Sequence, residues 1–528
     1  MKRRNFLQTA AAFSIPALLP LTGTRASTSR FTSLINSDSD RILVIVHLFG
    51  GNDGLNTLIP LDQYQTLREV RKDIIIEEGK IHKLTDELGI HPEMKDMKNM
   101  FAEGKLRPIQ SVHYPNQNRS HFRSTDIYTS GSASDEFLTS GWMGRYLETQ
   151  YAGYPINYPS SQQPHPPAVS IGDVAHPTCE GTKINLSQTV LDPNNTRKLS
   201  NMLADTPNDK YGDELSFIRT TMKQTNDYNT VIKSAADKGR NAVTYRYRDS
   251  NIYPQNQRNP LAEQLKKVAR MISGGLQTKV YTVYMNGFDT HAGQVIEGNE
   301  HMGTHAKLLS DVSRAISDFQ NDLKAQGLEE RVLGMTFSEF GRRIRPNASF
   351  GTDHGTAGPM FLFGSCVNGG ILGDNVKIER DVDQHAGVPM QFDFRDVYGS
   401  ILVDWFDVRS YEVKNLLHDN FKYLPIANSC NEDDVADTDK ADEGWVFGDP
   451  RSNSSNEVVL QVTSPGTNLL RYTLFDGRGR MVLANQISVA GTADHILFKR
   501  PGRLPSGTYT LRLATETGGN LTRKVVLN

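Results

Sequence analysis

Residues 41–49, RILVIVHLF, are a nearly continuous apolar run with four β-branched residues. A run of this length and composition is typical of a strand that is buried on both faces, as in a parallel sheet covered by helices. The run stops at Gly50-Gly51, where the chain turns and presents Asn52 and Asp53. This segment therefore predicts a central strand with polar side chains at its carboxyl end.

Three further apolar runs are predicted as strands, at residues 279–285, 331–337 and 360–363. Two stretches near the run at 279–285 place their apolar side chains on one helical face. They are residues 262–272, before that run, and residues 305–325, after it. Strands that alternate with helices are typical of a largely parallel sheet covered on both faces. We therefore predict an α/β fold, a three-layer sandwich with a mostly parallel central sheet.

Five short segments place acidic, hydroxyl or histidine side chains beside glycine or just after an apolar run. They are residues 50–54 (GGNDG), 118–121 (NRSH), 287–291 (GFDTH), 337–340 (FSEF) and 351–355 (GTDHG). In open α/β sheets, ligands bind beyond the carboxyl ends of the strands. Clustered Asp, Glu and His side chains with a hydroxyl nearby are the chemistry of a metal-assisted hydrolase. We expect one site assembled from these segments.

Composition excludes several other classes of protein. A net charge of −2 over 528 residues argues against a broad nucleic-acid footprint. The three cysteines, Cys179, Cys366 and Cys430, are far apart and odd in number, so we expect neither a zinc site built on cysteine nor a disulfide. Residues 50–54 lack the Gly-x-Gly-x-x-Gly spacing of a dinucleotide-binding loop.

Residues 1–26 are predicted to be a signal peptide. Lys2-Arg3-Arg4 is a basic start, residues 6–21 are weakly apolar, and 24–26 form a small-residue cleavage site. Residues 3–7 (RRNFL) resemble a twin-arginine export signal, although an ordinary secretory signal stays open. Either reading places the mature chain outside the cytoplasm, at the cell surface or in the medium, with the periplasm in transit. No other segment approaches about 18 uninterrupted apolar residues, so no mature membrane span is expected.

The chain changes character near its C-terminus. Residues 428–448 carry seven acidic side chains and are predicted to be a linker. Residues 453–528 contain five short strand-like runs separated by turns such as 477–479 and 505–507. We predict a small β-sandwich there. Residues 474–479 (LFDGRG) and 504–509 (LPSGTY) resemble the sorting domain of the bacterial type IX secretion system, which implies the export machinery as a partner.

The main body, residues 41–424, resembles an uncharacterised family of exported bacterial proteins grouped with the alkaline phosphatase and sulfatase superfamily. The motifs that carry the resemblance are 50–56 (GGNDGLN), 118–122 (NRSHF), 287–291 (GFDTH), 337–343 (FSEFGRR) and 351–356 (GTDHGT). The resemblance implies an alkaline-phosphatase-like form of the three-layer sandwich.

The superfamily's residue roles can be carried to matching positions. Its first strand ends in a metal-binding Asp, and Asp53 matches that place. Its nucleophile is a Ser or Thr at the start of a helix, and Ser120 matches. Such a helix end favours an anion such as phosphate or sulfate. An Asp with a nearby His after another strand is matched by Asp289 and His291, at a shorter spacing than usual.

The remaining positions match less completely. The superfamily's next Asp-His pair is matched by Glu339-Phe340, so the carboxylate is kept and the histidine is lost. His121 is a candidate to replace that histidine; otherwise only one metal ion binds. A final His after a glycine-rich turn is matched by His354, with Asp353 as a candidate beside it.

Structural roles stay open as alternatives at several positions. They are a turn cap for Asp53, a helix N-cap for Ser120, an ion pair with Arg342 or Arg343 for Glu339, a core position for His47, and surface placement for His301 and His305. Arg119 and Arg123 are equally compatible with gripping an anionic substrate and with a solvated helix face.

The predicted function is an exported metal-dependent hydrolase of phosphate or sulfate esters. One or two divalent ions, zinc or manganese, are expected, with Ser120 or a metal-bound water as the nucleophile. The candidate catalytic residues are Ser120, Arg119 and His121, and the candidate metal ligands are Asp53, Asp289, His291, Glu339, Asp353 and His354. The alternative is a catalytically degenerate surface protein that binds or assembles. The expected partner is a small anionic ester or a surface polymer.

Overall fold

The computed structural model describes residues 40–196, 207–253, 257–427, 445–448, 450–452, 457–476, 481–499, 504–515 and 520–527. The predicted signal peptide, most of the predicted acidic linker and the turn at 477–479 lie outside the described residues.

Eleven strands of the described residues belong to the main body. They are β1 (Ile42–Phe49), β2 (Leu58–Pro60), β3 (His82–Lys83), β4 (Leu88–Ile90), β5 (Leu106–His113), β6 (Ala168–Ile171), β7 (Ser187–Val190), β8 (Val280–Asn286), β9 (Val332–Phe337), β10 (Gly358–Phe363) and β11 (Phe392–Asp393). Eight of them form the central sheet in the order β11-β5-β10-β9-β1-β8-β6-β7, and β2-β4-β3 form a small separate sheet.

The central sheet is mostly parallel. Strand β1 pairs in parallel with both β8 and β9, and the pairings continue in parallel to β6 and β7. Strand β10 alone runs against its neighbours, because it pairs antiparallel with β9 and with β5. The carboxyl ends of β1, β5, β8 and β9 therefore meet at one edge, and the chain enters the reversed β10 from that same edge.

The helices of the described residues lie mainly between these strands in the chain. They are α1 (Gly54–Thr57), α2 (Tyr64–Val70), α3 (Lys95–Ala102), α4 (His121–Ser130), α5 (Trp142–Gln150), α6 (Lys210–Lys238), α7 (Pro260–Ser273), α8 (Thr304–Ala325), α9 (Phe394–Phe406) and α10 (Ser410–Leu416). None of the described helices combines the length and the apolar composition that crossing a membrane requires.

Strand β1 shows why the sheet is covered on both faces. Its side chains alternate between two cores, as the period of a strand requires. Val44 and Val46 belong to one core with the apolar faces of α7 and α8, whereas Leu43 and Ile45 belong to the other with α4, α5 and α9. The predicted α/β fold with a mostly parallel central sheet is confirmed.

The expected elements of the main body are present with small shifts at their ends. The four predicted strands correspond to β1, β8, β9 and β10, and the two predicted helices correspond to α7 and α8. Helix α7 begins at Pro260 because the side chain of Asn259 accepts the first free backbone N–H groups. The strands β5, β6 and β7 and the 29-residue helix α6 were not predicted.

The C-terminal region is an antiparallel sheet of longer strands than predicted. Its strands are β12 (Val446–Phe447), β13 (Arg451–Ser452), β14 (Glu457–Phe475), β15 (Met481–Lys499), β16 (Gly507–Thr515) and β17 (Asn520–Leu527). Four of the five predicted short strands merge in pairs into β14 and β15, because these strands continue through irregular positions, such as the register shift between Ser464 and Asn468, and the fifth corresponds to β16. A bulge of this kind bends a strand without ending it.

The expectation that no disulfide forms is wrong, because Cys366 is disulfide-bonded. Cys179 is a free, buried thiol. Sequence spacing could not reveal the bridge, since it depends on how the chain folds back on itself.

Candidate metal centre

The site begins where β1 ends in two glycines. Gly50 has a φ of +124°, and a Cβ atom there would lie 2.2 Å from the backbone nitrogen of Asp289. Only glycine permits this approach between the loops that follow β1 and β8. The close contact brings Asp289 to the carboxyl edge of the central strand.

Three imidazole rings converge on a single oxygen of Asp289. The Nε2 atoms of His291 and His354 each lie 3.1 Å from Asp289 Oδ1, and His121 Nε2 lies 3.4 Å from it. The histidines come from three different places: the loop after β8, the start of α4, and the turn before β10. The Asp289 side chain is 47% exposed, so the cluster is open to solvent.

The other nitrogen of each ring faces an acceptor of its own. The acceptors are Glu339 Oε1 for His121 (2.7 Å), Asp353 Oδ1 for His291 (3.2 Å) and the backbone carbonyl of Arg119 for His354 (2.8 Å). A carbonyl oxygen can only accept, so His354 carries a hydrogen on Nδ1. A neutral ring of this tautomer presents its Nε2 lone pair towards Asp289, as a metal-binding histidine does.

Glu339 is ionised in this setting. Burial alone would raise its pKa, but the hydrogen bond from His121 and the nearby His47 ring outweigh burial and lower the pKa to about 2. In turn, the hydrogen bond to Glu339 raises the pKa of His121. For Asp289, burial again acts upwards, while the hydrogen bond and charge of Arg342 lower the pKa to about 2. Both carboxylates are therefore charged at neutral pH.

Arg342 holds the surrounding loops together. Its guanidinium is 0% exposed, and its Nη2 donates to Asp289 Oδ1 at 2.6 Å. The remaining donors reach backbone carbonyls, which are those of Gly50, Gly51 (2.8 Å), Phe288 (3.1 Å) and Thr352 (2.8 Å). One side chain thus fixes the loops after β1 and β8 and the turn before β10.

The donor set fits a divalent metal ion. Ligand atoms of His121, Asp289 and His354 all lie within 4.8 Å of one another. A tetrahedral site with ligands about 2.0–2.2 Å from the ion separates neighbouring ligand atoms by roughly 3.3–3.6 Å, close to the distances from Asp289 Oδ1 to the imidazoles. Two imidazoles and one carboxylate suit zinc or manganese, and His291 contacts the same Asp289 oxygen from outside this group of three.

Asp53 lies outside this cluster. Its carboxylate pairs with the buried guanidinium of Arg71 and accepts from Gln294 Nε2 at 2.5 Å. It also caps α1, because Oδ1 accepts the backbone N–H of Leu55 at 3.2 Å. Glu339 and Asp353 occupy a different position again, since they contact the histidines from behind. Of the six predicted ligands, the structure brings Asp289, His291 and His354 together, and His121 joins them.

Ser120 is exposed and directly precedes His121 in the chain. It occupies the N-cap position of α4, but its side chain makes no capping hydrogen bond. Its neighbour Arg119 donates to the carbonyl of His385 at 3.0 Å. Burial and the charge of nearby Arg343 lower the pKa of Arg119. Arg123 points elsewhere, because it pairs with Asp126 and donates to loop carbonyls.

The other histidines and Phe340 complete the surroundings. Phe340 packs its ring 4.8 Å from His121 and 4.7 Å from His354. His305 is buried against Asn52 at 2.8 Å, so its expected surface placement is wrong, while His301 lies beside Lys80 at 3.3 Å. Sequence reasoning missed Arg342 as the organiser of the loops and His47 as a neighbour of Glu339. The sequence signal for Arg342 was an arginine close after the FSEF segment, and the signal for His47 was a histidine inside a buried strand.

A family model described as "Protein of unknown function (DUF1501)" matches residues 40–402. No curated protein is similar in sequence.

Several solved structures resemble the chain. A protein from Bacteroides thetaiotaomicron, titled for the metabolism of multiple glycosaminoglycans, shares 10% identity over 85% of this chain and 89% of its own, with a TM-score of 0.32. The PsFucS1 sulfatase from Pseudoalteromonas shares 11% identity over 87% and 84%, with a TM-score of 0.28. An alkaline phosphatase from the Antarctic bacterium TAB5 shares 11% identity over 61% of this chain and 92% of its own, with a TM-score of 0.24. The α/β fold of this chain is defined by its own sheet order and strand directions.

Proposed function

This chain belongs to the family described as Protein of unknown function (DUF1501), and for it we propose the activity of an exported metal-dependent hydrolase of phosphate or sulfate esters. One observation carries the proposal: three imidazole Nε2 atoms face one oxygen of Asp289, while each ring's other nitrogen has its own acceptor. Oriented imidazoles around a carboxylate are the arrangement of a metal site rather than of a surface ion pair.

His121, His354 and Asp289 would hold a zinc or manganese ion, with His291 beside them on the same Asp289 oxygen. Such an ion, when bound, supplies a Lewis acid that neutralises charge on the ester oxygens and favours a deprotonated nucleophile. The chain's own residues prepare the site for it. Glu339 and the carbonyl of Arg119 hold two of the rings in the tautomer that leaves Nε2 free. A single ion is favoured, because Asp53 is committed to Arg71.

Ser120 is the proposed nucleophile. Its hydroxyl precedes the histidine ligand His121 in the chain and does not cap α4. The backbone N–H groups of the first turn of α4 are available to an anion there, which suits a phosphoryl or sulfuryl group. Arg119 places a positive charge nearby, and we assign it to the remaining ester oxygens, whereas Arg343 pairs with Asp353 at 2.8 Å. The substrate would be a small anionic ester.

The first test is the metal content of the purified full chain. We expect about one equivalent of zinc or manganese in the wild type, and its loss in Asp289→Asn and His354→Gln. His301→Gln is the matched control, because this histidine contacts Lys80 rather than the cluster. No bound metal, together with no thermal stabilisation by added zinc or manganese, would refute the proposal.

Turnover then separates the two possible nucleophiles. If metal binds, phosphate and sulfate esters are screened with the wild type and Ser120→Ala. Loss of turnover with metal content retained supports Ser120 as the nucleophile. Full turnover by Ser120→Ala would assign the attack to water.

A second function is favoured by a specific observation. Asp53, which the superfamily resemblance assigns to metal, is neutralised by Arg71, and Phe340 replaces a ligand histidine beside His121 and His354. A surface protein that keeps the fold but only binds a surface polymer or takes part in assembly would lose metal ligands in this way. It would retain its fold in Asp289→Asn with unchanged partner binding.

Export is part of the proposal. The N-terminal segment would direct the chain through the twin-arginine or the general secretory route, and the C-terminal sheet would then direct it through the type IX system to the cell surface or medium. N-terminal sequencing of the protein recovered outside the cells tests the first step. A start near residue 27 is expected, and an intact Met1 would contradict it.

A further inference from the structure

Two histidines lie behind Glu339, on the side away from His121. His47 Nε2 lies 3.6 Å from Glu339 Oε2, and His47 Nδ1 lies 3.3 Å from His176 Nε2. His47 is 4% exposed and stacks on Phe337 with ring centroids 4.3 Å apart. We use the term histidine relay for His176, His47 and Glu339.

The hydrogen atoms in the relay can be assigned from its far end. His176 Nδ1 accepts the backbone N–H of Thr178 at 3.3 Å, so a neutral His176 carries its hydrogen on Nε2. Burial lowers the pKa of His176 to about 3 and keeps the ring neutral. His176 therefore donates to His47 Nδ1. This leaves the hydrogen of a neutral His47 on Nε2, facing Glu339.

The contact between His47 Nε2 and Glu339 Oε2, at 3.6 Å, is longer than an ordinary hydrogen bond. However, His47 Nε2 is buried and has no hydrogen-bond partner among the described residues. Glu339 Oε2 is the acceptor that faces it. The other oxygen, Oε1, accepts from the backbone N–H of Gly50 at 2.9 Å and faces His121 Nδ1 at 2.7 Å. Donors thus surround both oxygens of Glu339, which holds it in one orientation as an acceptor.

We propose that His47 and His176 are positioning residues of the metal centre, which hold Glu339 as an acceptor and thereby fix the His121 tautomer that leaves Nε2 free for the ion. The inference rests on the proposed function for the role of His121. His176 is itself anchored, because its backbone N–H donates to Ser170 Oγ at 3.0 Å and its carbonyl accepts from Asn185 at 3.1 Å. The relay therefore extends from the loop after β6 to the metal centre.

The variant His47→Phe keeps an aromatic ring on Phe337 but removes the donor to Glu339. His47→Gln retains an amide donor and is the conservative variant. His113→Phe is the matched control, because His113 is buried and faces Tyr128 at 3.2 Å rather than the relay. All three are made in the full chain. Zinc affinity is measured by competition with a chromophoric chelator.

We expect His47→Phe to weaken zinc binding about 10- to 100-fold, as outer partners of metal-binding histidines do. His47→Gln should recover most of the affinity, and His113→Phe should leave it unchanged. Equal affinity in His47→Phe and the wild type would overturn the inference. So would an equal loss in His113→Phe, because that would show a general packing effect.

A measurement without metal separates this inference from the proposed function. Long-range proton–nitrogen NMR of histidine-labelled, metal-free protein reports which nitrogen of His121 carries the hydrogen. At alkaline pH, where the ring is neutral, the wild type should show a hydrogen on Nδ1 alone, and His47→Phe should show a mixture of tautomers. If the wild type bound no metal, the proposed function would fail, while this result would still decide the relay. An unchanged tautomer in His47→Phe would overturn it.

Discussion

Arg342 Nη2 lies 2.6 Å from Asp289 Oδ1, the same oxygen that faces three imidazoles. The guanidinium is fully buried, and its other donors reach backbone carbonyls of the loops after β1 and β8 and before β10. A fixed, planar set of five donors is what allows one side chain to connect three loops. The geometry of the metal centre therefore depends on a residue that is not a ligand.

Arg342→Lys is expected to loosen these loops. A lysine has one ammonium group and cannot reach the four carbonyls and Asp289 together, so buried carbonyls lose their donors. We expect a loss of about 2–4 kcal/mol in the free energy of unfolding, measured by urea denaturation, and weaker zinc binding. Arg345→Lys is the control, because Arg345 is only partly buried and also donates to two carbonyls. Equal losses in both variants would contradict the special role of Arg342.

Asp53→Asn tests whether Asp53 is structural or a ligand. The substitution keeps the shape but leaves the guanidinium of Arg71 buried without its counter-charge. We expect a loss of about 3–5 kcal/mol in stability, and a similar loss in Arg71→Met. Zinc content of the folded Asp53→Asn protein should match the wild type. A folded variant that has lost zinc would instead return Asp53 to the ligand set.

Gly50→Ala is expected to disrupt the metal centre. The new Cβ would lie 2.2 Å from the backbone nitrogen of Asp289, in a backbone conformation that side chains rarely adopt. Gly104→Ala is a matched control, since Gly104 also has a positive φ, of +74°, but open space around it. We expect Gly104→Ala to lower the free energy of unfolding by roughly 1–2 kcal/mol through backbone strain, and Gly50→Ala to lower it by more. Zinc binding should fail only in Gly50→Ala.

Asp311 on α8 predicts a pH dependence of stability. Its side chain is 0% exposed, with Arg248 Nε at 2.8 Å and the Tyr253 hydroxyl at 3.0 Å. Burial raises its pKa to about 6, although the charge of Arg248 opposes the shift. Between about pH 4 and 6 the folded state keeps a proton that the unfolded chain has released. Stability therefore falls as pH rises through this window, by roughly 3 kcal/mol from this group.

The variant Asp311→Asn isolates that contribution. An amide does not titrate, so the free-energy difference between wild type and variant should change between pH 4 and 6 and be constant above pH 7. Urea denaturation at each pH gives this difference. A difference that is the same at pH 4 and pH 7 would show that Asp311 titrates normally in the folded protein.

Much of the fold was predictable because its signals are local. The apolar run of β1 and the helical periodicity of α7 and α8 depend only on neighbouring residues, and all three elements appear where they were expected. The strands β5 to β7 are shorter or mixed with polar residues, so burial by the rest of the protein decides their structure. The polar residues at the strand ends were also predictable, because each lies beside a glycine or directly after an apolar run in the sequence.

Local sequence signals identify the segments that reach the carboxyl edge of the sheet, whereas folding selects which of their side chains form one cluster. Asp53 and Asp289 both follow central strands, yet Arg71 and Gln294 hold Asp53 while Asp289 faces His121. The partner that a buried carboxylate acquires comes from residues far away in the chain. Because a buried charge must be paired where it lies, those distant partners settle whether it serves the fold or remains available to a ligand.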